Sequence, residues 1–136
     1  MVIDGILDIR DITSTLIDEI ESLKPFGTGN PEPVFLAKKI HIASSWIVGR
    51  NTCRMILKPG DRSSGAGISA VQFNVDSPLP MASEIREMAY RLRWNIWNGN
   101  RTPQILVEDA IFSLQSPMSE SIMRIDEDSY QLKRDD

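Results

Sequence analysis

Trp46 stands four residues before Arg50, and Trp97 stands four residues before Arg101. An indole face stacks on any nucleic-acid base for about 1–3 kcal/mol, and a guanidinium neutralises a phosphate. Each pair therefore has the makings of a sequence-tolerant grip on a polynucleotide. Arg54 and Lys58 continue a basic track from the first pair, and Arg91 and Arg93 lie on the strand that leads to the second. Every candidate also has a plainer reading. Trp97 sits beside a turn and suits turn packing as well as base stacking. Trp46, followed by Ile47 and Val48, suits closure of an apolar barrel end. Arg91 and Arg93 suit a solvated strand face or an inter-domain contact, and Trp94, on the apolar side of its strand, suits the core.

Other chemistries lack their parts. Cys53 is the only cysteine, which excludes an internal disulfide, fits a reducing compartment and reads as a small buried apolar group. His41 is the only histidine and has no cysteine partners, so no zinc set can be assembled. Glu108 and Asp109 are adjacent in a strand pattern, where successive side chains point to opposite faces; one solvated and one structural carboxylate are expected, not a metal pair. Gly27 and Gly29 are not followed by the lysine that a phosphate loop requires. No nucleophile–base pair or metal cluster is present, so an enzyme acting alone is excluded and no cofactor is expected.

The formal net charge of −4 is unevenly spread. Residues 1–24 carry six acids against two bases, and residues 119–136 carry six against three, which leaves ten bases against seven acids in residues 25–118. A body of charge +3 thus sits between two acidic ends, and binding follows the local patch more than the total. No apolar run approaches the roughly 18 residues of a membrane-spanning helix, and the acidic N-terminal stretch has no secretion signal. A cytoplasmic protein is expected.

The elements that must carry these residues follow from periodicity. "VIDGILDI" reads as a short strand with nothing nearby to pair with. Leu16, Ile17, Ile20 and Leu23 recur at helical spacing over 13–23, with Thr13 or Ser14 as cap and Pro25 as the stop. "PFGTGNPEPVF" reads as a rigid, bent connector in which Gly27 and Gly29 permit positive φ and Phe26 pins the bend. Beyond it the period becomes two. Val34, Leu36, Ile40 and Ile42 share one face, with Phe35, Lys39 and His41 on the other; Cys53, Met55 and Leu57 share the inner face of the next strand. "GISAVQFNV" forms a third strand, and Met88, Tyr90, Leu92, Trp94 and Ile96 line the inside of a fourth. Asn98-Gly99 predicts a hairpin turn into "TPQILVEDAIF", and an acidic tail follows with a short helix near "SESIMRI". Five short strands, with a long connection between the third and fourth, predict a mainly β, five-stranded OB-fold-like barrel, with an SH3-like barrel as competitor.

Three stretches together resemble the C-terminal region of the RecJ family, the bacterial single-stranded-DNA-specific exonucleases of the DHH superfamily. "LIDEIESLKPFGTGNPEPVF" is similar to the family's connector into its OB domain, with Lys24 and Thr28 as departures. "ISAVQFN" is similar to its central strand, and "AYRLRWNIWNGNRTPQILVEDA" to its last hairpin, with Ile96 where an acid is usual. The resemblance covers roughly residues 4–112. It implies that residues 1–24 end a preceding DHHA1-like domain, 25–33 form the connector, 34–115 the barrel and 116–136 the tail of an excised C-terminal piece. The family's manganese- or magnesium-dependent catalytic site, built from Asp and His residues, would lie in upstream domains.

By resemblance, the barrel is a single-stranded-DNA-binding module of a 5′-to-3′ exonuclease of repair and recombination, using the second and third strands and the loops after the first and fourth. Those loops would be "SSWIVGRN" and "NIWNGNRTP", which hold the two Trp/Arg pairs. Expected partners are single-stranded DNA, the upstream catalytic domains and a single-strand-binding protein, with no membrane. The rival is an OB module that docks domains or proteins and has little DNA affinity of its own. An uncovered apolar stripe on helix 13–23 would also promote self-association.

Overall fold

The computed structural model describes residues 2–61, 67–75 and 82–114. The Arg62-Ser63-Ser64-Gly65 loop, most of the connection into the fourth strand, and the acidic tail with its expected helix lie outside these residues. The described chain runs β1 (Gly5–Ile6), a 3-10 turn (Ile9–Asp11), α1 (Ser14–Ser22), β2 (Phe35–Val48), β3 (Thr52–Pro59), β4 (Ile68–Gln72), β5 (Ala82–Trp97) and β6 (Asn100–Leu114). Strand order is β1-β2-β3-β4-β6-β5, and β2 also pairs with β5, which closes β2–β6 into a five-stranded barrel. The β4–β6 pair is parallel and the other barrel pairs are antiparallel. This is the OB-fold plan.

Closure forces β2 to serve two neighbours, and it does so by changing face. Phe35 and Ala37 point inward opposite Tyr90 and Met88, but the next inward residue is Ile40, opposite Ile85. The step falls at Lys39, whose φ of 56° is left-handed. The even alternation expected from Val34 to Ile42 is corrected accordingly. Phe35 packs on the core with its ring 5.9 Å from that of Tyr90, whereas Leu36 is only half-buried. Gly60 makes the bend possible, because a Cβ there would stand 2.3 Å from the Lys39 carbonyl oxygen. A second step follows in β2, where the register against β3 shifts between Ile42 and Ser44.

Period two fills the core from β3, whereas in β5 a register shift against β6 between Ile85 and Glu87 lets Ile85 and Met88, three residues apart, both be buried. Cys53, Met55 and Leu57 are fully buried, as are Ile85, Met88, Tyr90 and Ile105. Burial raises the Cys53 thiol pKa, which suits an inert apolar filler. Ile96 departs from expectation, being 70% exposed, because the β5–β6 hairpin runs past the end of the barrel. Asn98 and Gly99 both have positive φ at its tip, the mark of a two-residue type I′ turn.

The N-terminal segment is not an orphan. β1 pairs in parallel with the start of β2, Gly5 opposite Phe35 and Ile6 opposite Leu36. The Asp4 carboxylate accepts from the Val34 N–H, and the Asp4 N–H donates to the Val34 carbonyl. The Tyr90 hydroxyl, buried inside the barrel, donates to the Leu7 carbonyl at 2.6 Å. Thr13 caps α1 by accepting from the Leu16 N–H, and Ile17 and Ile20 enter the barrel's own core with Leu16 packed against it. Ile17 and Ile20 are thus covered by the barrel, while Leu23 at the end of the stripe stays 48% exposed. In the connector, Gly27 and Asn30 bridge each other, and the Asn30 amide donates to the Leu23 and Pro25 carbonyls at the helix end. Neither Gly27 nor Gly29 takes a left-handed φ.

Two stability outcomes are expected. Ile17→Ala, at a site with no exposure, should cost about 2–5 kcal/mol in urea unfolding. Gly60→Ala should cost about 1–3 kcal/mol by the same measurement, because its methyl meets backbone and not a movable side chain.

Candidate nucleic-acid interface

Arg54 lies on the outer face of β3, between the buried Cys53 and Met55. Residues directly opposite in a ladder share a face, so Trp46 of β2, paired with Arg54, also points outward. The register step near Ala43 is what places it there; without it, Trp46 would follow Ile40 and Ile42 inward. On the other side Arg54 pairs with Val71 of β4, and Phe73 continues the outward parity of Ser69 and Val71. A bond from the Val75 N–H to the Asn51 carbonyl holds the segment after β4 against the tip of the β2–β3 hairpin. Beside Arg54 the chain thus presents Trp46, 46% exposed on β2, and Phe73, 59% exposed and one residue past the end of β4.

Among the described residues, no ion pair involves Arg50, Arg54 or Lys58. Lys58 stands opposite His41 on the same outer face of β3, and Arg50 is exposed at the hairpin tip. These three cations and two aromatic rings can meet phosphates and bases together. The pairing expected from chain spacing is corrected: β2 extends to Val48, so Trp46 is a strand residue whose partner is Arg54, not a loop residue beside Arg50. Phe73 is absent from the sequence candidates. Its signal is the outward alternation of Ser69 and Val71 carried one step beyond the strand.

The β5–β6 side is different. Trp97 pairs with Asn100, so Arg101 falls opposite Ile96 and points to the other face from Trp97. The two-residue turn therefore separates the second Trp/Arg pair. Arg101 instead lies 4.1 Å over the Trp94 ring and bonds the Asp18 carboxylate of α1 at 3.0 Å, while the Trp94 indole N–H donates to that same carboxylate oxygen at 2.9 Å. Trp94 is half-buried against the core, as expected, but it is also the seat of Arg101. Arg91 pairs with Glu32 at 3.3 Å and with Glu108 at 3.1 Å, and Arg93 pairs with Glu32 at 3.6 Å. All three arginines are engaged by carboxylates. Trp97, 74% exposed, stands alone at the hairpin tip. Glu108 pairs with Arg91 and Asp109 accepts from the Ala110 N–H, and both residues are exposed.

The family model of the RecJ OB domain matches residues 3–109. The chain belongs to the RecJ OB-domain family. It is 30% identical over 109 residues to the single-stranded-DNA-specific exonuclease RecJ of Haemophilus influenzae, covering 77% of this chain and 18% of that protein. Against the Escherichia coli K12 exonuclease of the same name it is 28% identical over 111 residues, covering 80% and 19%. A crystal structure of RecJ in complex with Mg2+ from Thermus thermophilus superposes with a TM-score of 0.52 at 22% identity, over 74% of this chain and 15% of that one. The chain therefore spans less than a fifth of the length of these relatives and corresponds to their OB region.

Within this RecJ OB domain, the Trp94 N–H first, and Arg101 second, hold the Asp18 carboxyl below its ordinary pKa of 3.8. A depressed folded-state pKa contributes stability above the unfolded value and loses it as the pH falls through the folded one. The stability difference between the unaltered chain and Asp18→Asn should therefore be constant near neutrality. It should fade as urea unfolding is repeated at pH values progressively below 3.8.

Proposed function

We propose that this chain is the single-stranded-DNA-binding module of a RecJ-like 5′-to-3′ exonuclease of repair and recombination, acting in the bacterial cytoplasm. It would hold the strand while catalytic domains of the kind found in its longer relatives, with their own manganese or magnesium, digest it. The observation that carries this reading is the outer face of β2–β4, where exposed Trp46 and Phe73 flank an Arg54 with no ion pair among the described residues. Stacking tolerates any base, and Arg50, Arg54 and Lys58 supply sequence-independent charge. The names of the relatives, which specify single-stranded DNA as their substrate, agree with it.

The β5–β6 hairpin favours a second role for the same module, docking against the upstream catalytic domains or a single-strand-binding protein. Its arginines are paired, while Ile96 and Trp97 are exposed by 70% and 74%.

Fluorescence anisotropy of a labelled oligo-dT tests the reading. The chain should bind it in a salt-sensitive way that duplex DNA does not share. Trp46→Ala and Phe73→Ala should each weaken binding by about 1–3 kcal/mol. Arg54→Ala should flatten the dependence of log affinity on log salt by roughly 0.7. Absence of binding at low salt would leave docking as the function. Equal losses from Arg101→Ala and Trp46→Ala would move the binding face to the hairpin.

A further inference from the structure

The outer face does not stop at β4. Val71 pairs with Leu106 of β6, and Leu106 pairs with Arg91 of β5, so one row of side chains crosses the barrel as Trp46, Arg54, Val71, Leu106, Arg91. The row runs three strands round the barrel wall from Arg54 to Arg91, and Arg93 stands two residues further along β5 on the same face. Val71 and Leu106 between them are buried, at 3% and 9% exposure. The far end of the row is as basic as the near end, but it is occupied by Glu32.

Glu32 belongs to the connector, between Pro31 and Pro33, and its side chain is only 12% exposed. One carboxylate serves two guanidiniums at 3.3 and 3.6 Å, beyond the span of about 2.7–2.9 Å that marks a good charge-assisted bond. The Nε–H groups of both arginines are buried without a hydrogen-bond partner among the described residues. Arg91 has a second carboxylate in Glu108 at 3.1 Å, yet between them Glu32 and Glu108 leave both Nε–H groups orphaned, donors that an anion seated on the two forks could satisfy. A cavity of about 580 Å³ lined by Asp4, Phe26, Pro31, Glu32, Val34 and Arg91 opens beside Arg91, with the Asp4 carboxylate on its wall bonded to the Val34 N–H.

We infer that Arg91 and Arg93 form a second phosphate site, held closed by Glu32 as an intramolecular phosphate mimic. A phosphodiester crossing the outer face would exchange with the Glu32 carboxylate, one monoanion for another, leaving the local charge unchanged. The exchange breaks no covalent bond and is reversible. Its use by a nucleic acid rests on the reading of the outer face given above; the anion site itself does not.

The test follows the Nε–H signals of Arg91 and Arg93 by NMR as inorganic phosphate is added. In Glu32→Gln, which keeps shape and removes charge, both signals should shift saturably. Oligo-dT should bind this variant several-fold more tightly, with a salt dependence steeper by roughly 0.7–1.4, corresponding to one or two added phosphates. In the unaltered chain, phosphate should move the same signals where chloride at equal ionic strength does not, which keeps the test open if the variant does not fold. Signals indifferent to phosphate in every folded form overturn the site. Signals that respond while oligo-dT fails to bind either form keep the anion site and overturn the nucleic-acid reading instead.

Discussion

The closure of β2 onto both β3 and β5 is the constraint on which the rest of this domain depends. A single strand can bridge two neighbours around so small a barrel only by bending, and a bent strand must change which side chains it turns inward. At Lys39 the inward set moves from odd to even residues, with no side chain at Gly60 to obstruct the approach of the Lys39 backbone. Near Ala43 it moves back again. The first step completes the core, and the second turns Trp46 out beside Arg54. The outward placement of Trp46 is therefore a by-product of barrel geometry and cannot be altered independently of it.

The distribution of charge follows a similar logic. The acids of residues 1–24 that the bulk numbers present as an acidic end are not simply solvated, and neither is Glu32 of the connector. Asp18 holds Arg101 and Trp94, Glu32 holds Arg91 and Arg93, and Asp4 is bonded to the backbone at the start of β2. Exposed ion pairs add little stability each, because water screens them and two long side chains must be held still. Their larger effect is to remove charge from one side of the barrel. With Arg91, Arg93 and Arg101 engaged by carboxylates, the cations without an ion pair among the described residues are Arg50, Arg54 and Lys58 around β3 and Lys38, Lys39 and Arg86 where β2 meets β5.

The legibility of this fold in its sequence divides along the same line. Strand β3 could be read outright, because it is straight and alternates cleanly from Cys53 to Leu57. Helix α1 could be read from its stripe and Thr13 cap, and the hairpin from Asn98-Gly99. The face of Trp46 could not, because two register steps in β2 leave no mark in composition: Lys39 is not a residue that advertises a left-handed φ. The pairing of β1 was equally hidden, since two residues in parallel register carry no periodicity. For the candidate site, the residue types were legible and their grouping was not. Spacing of four suggested Trp97 with Arg101, but a two-residue turn sends them to opposite faces.

The separation of Trp97 from Arg101 bears on how such a module can favour single strands. A hairpin presenting the two together would be a projecting grip, free to meet any polyanion. A sheet face presenting Trp46, Arg54 and Phe73 is shallow and rigid, and its rings can stack only on bases that are already unpaired. In a duplex the base faces are occupied by one another, so the cations around β3 can still meet phosphates but the stacking contribution of the rings is lost. On the function proposed above, selectivity for single strands would need no steric gate in this domain. It would follow from placing the aromatic rings on the barrel wall and from pairing Arg91, Arg93 and Arg101 with carboxylates, which lowers non-specific charge and leaves more of the discrimination to stacking.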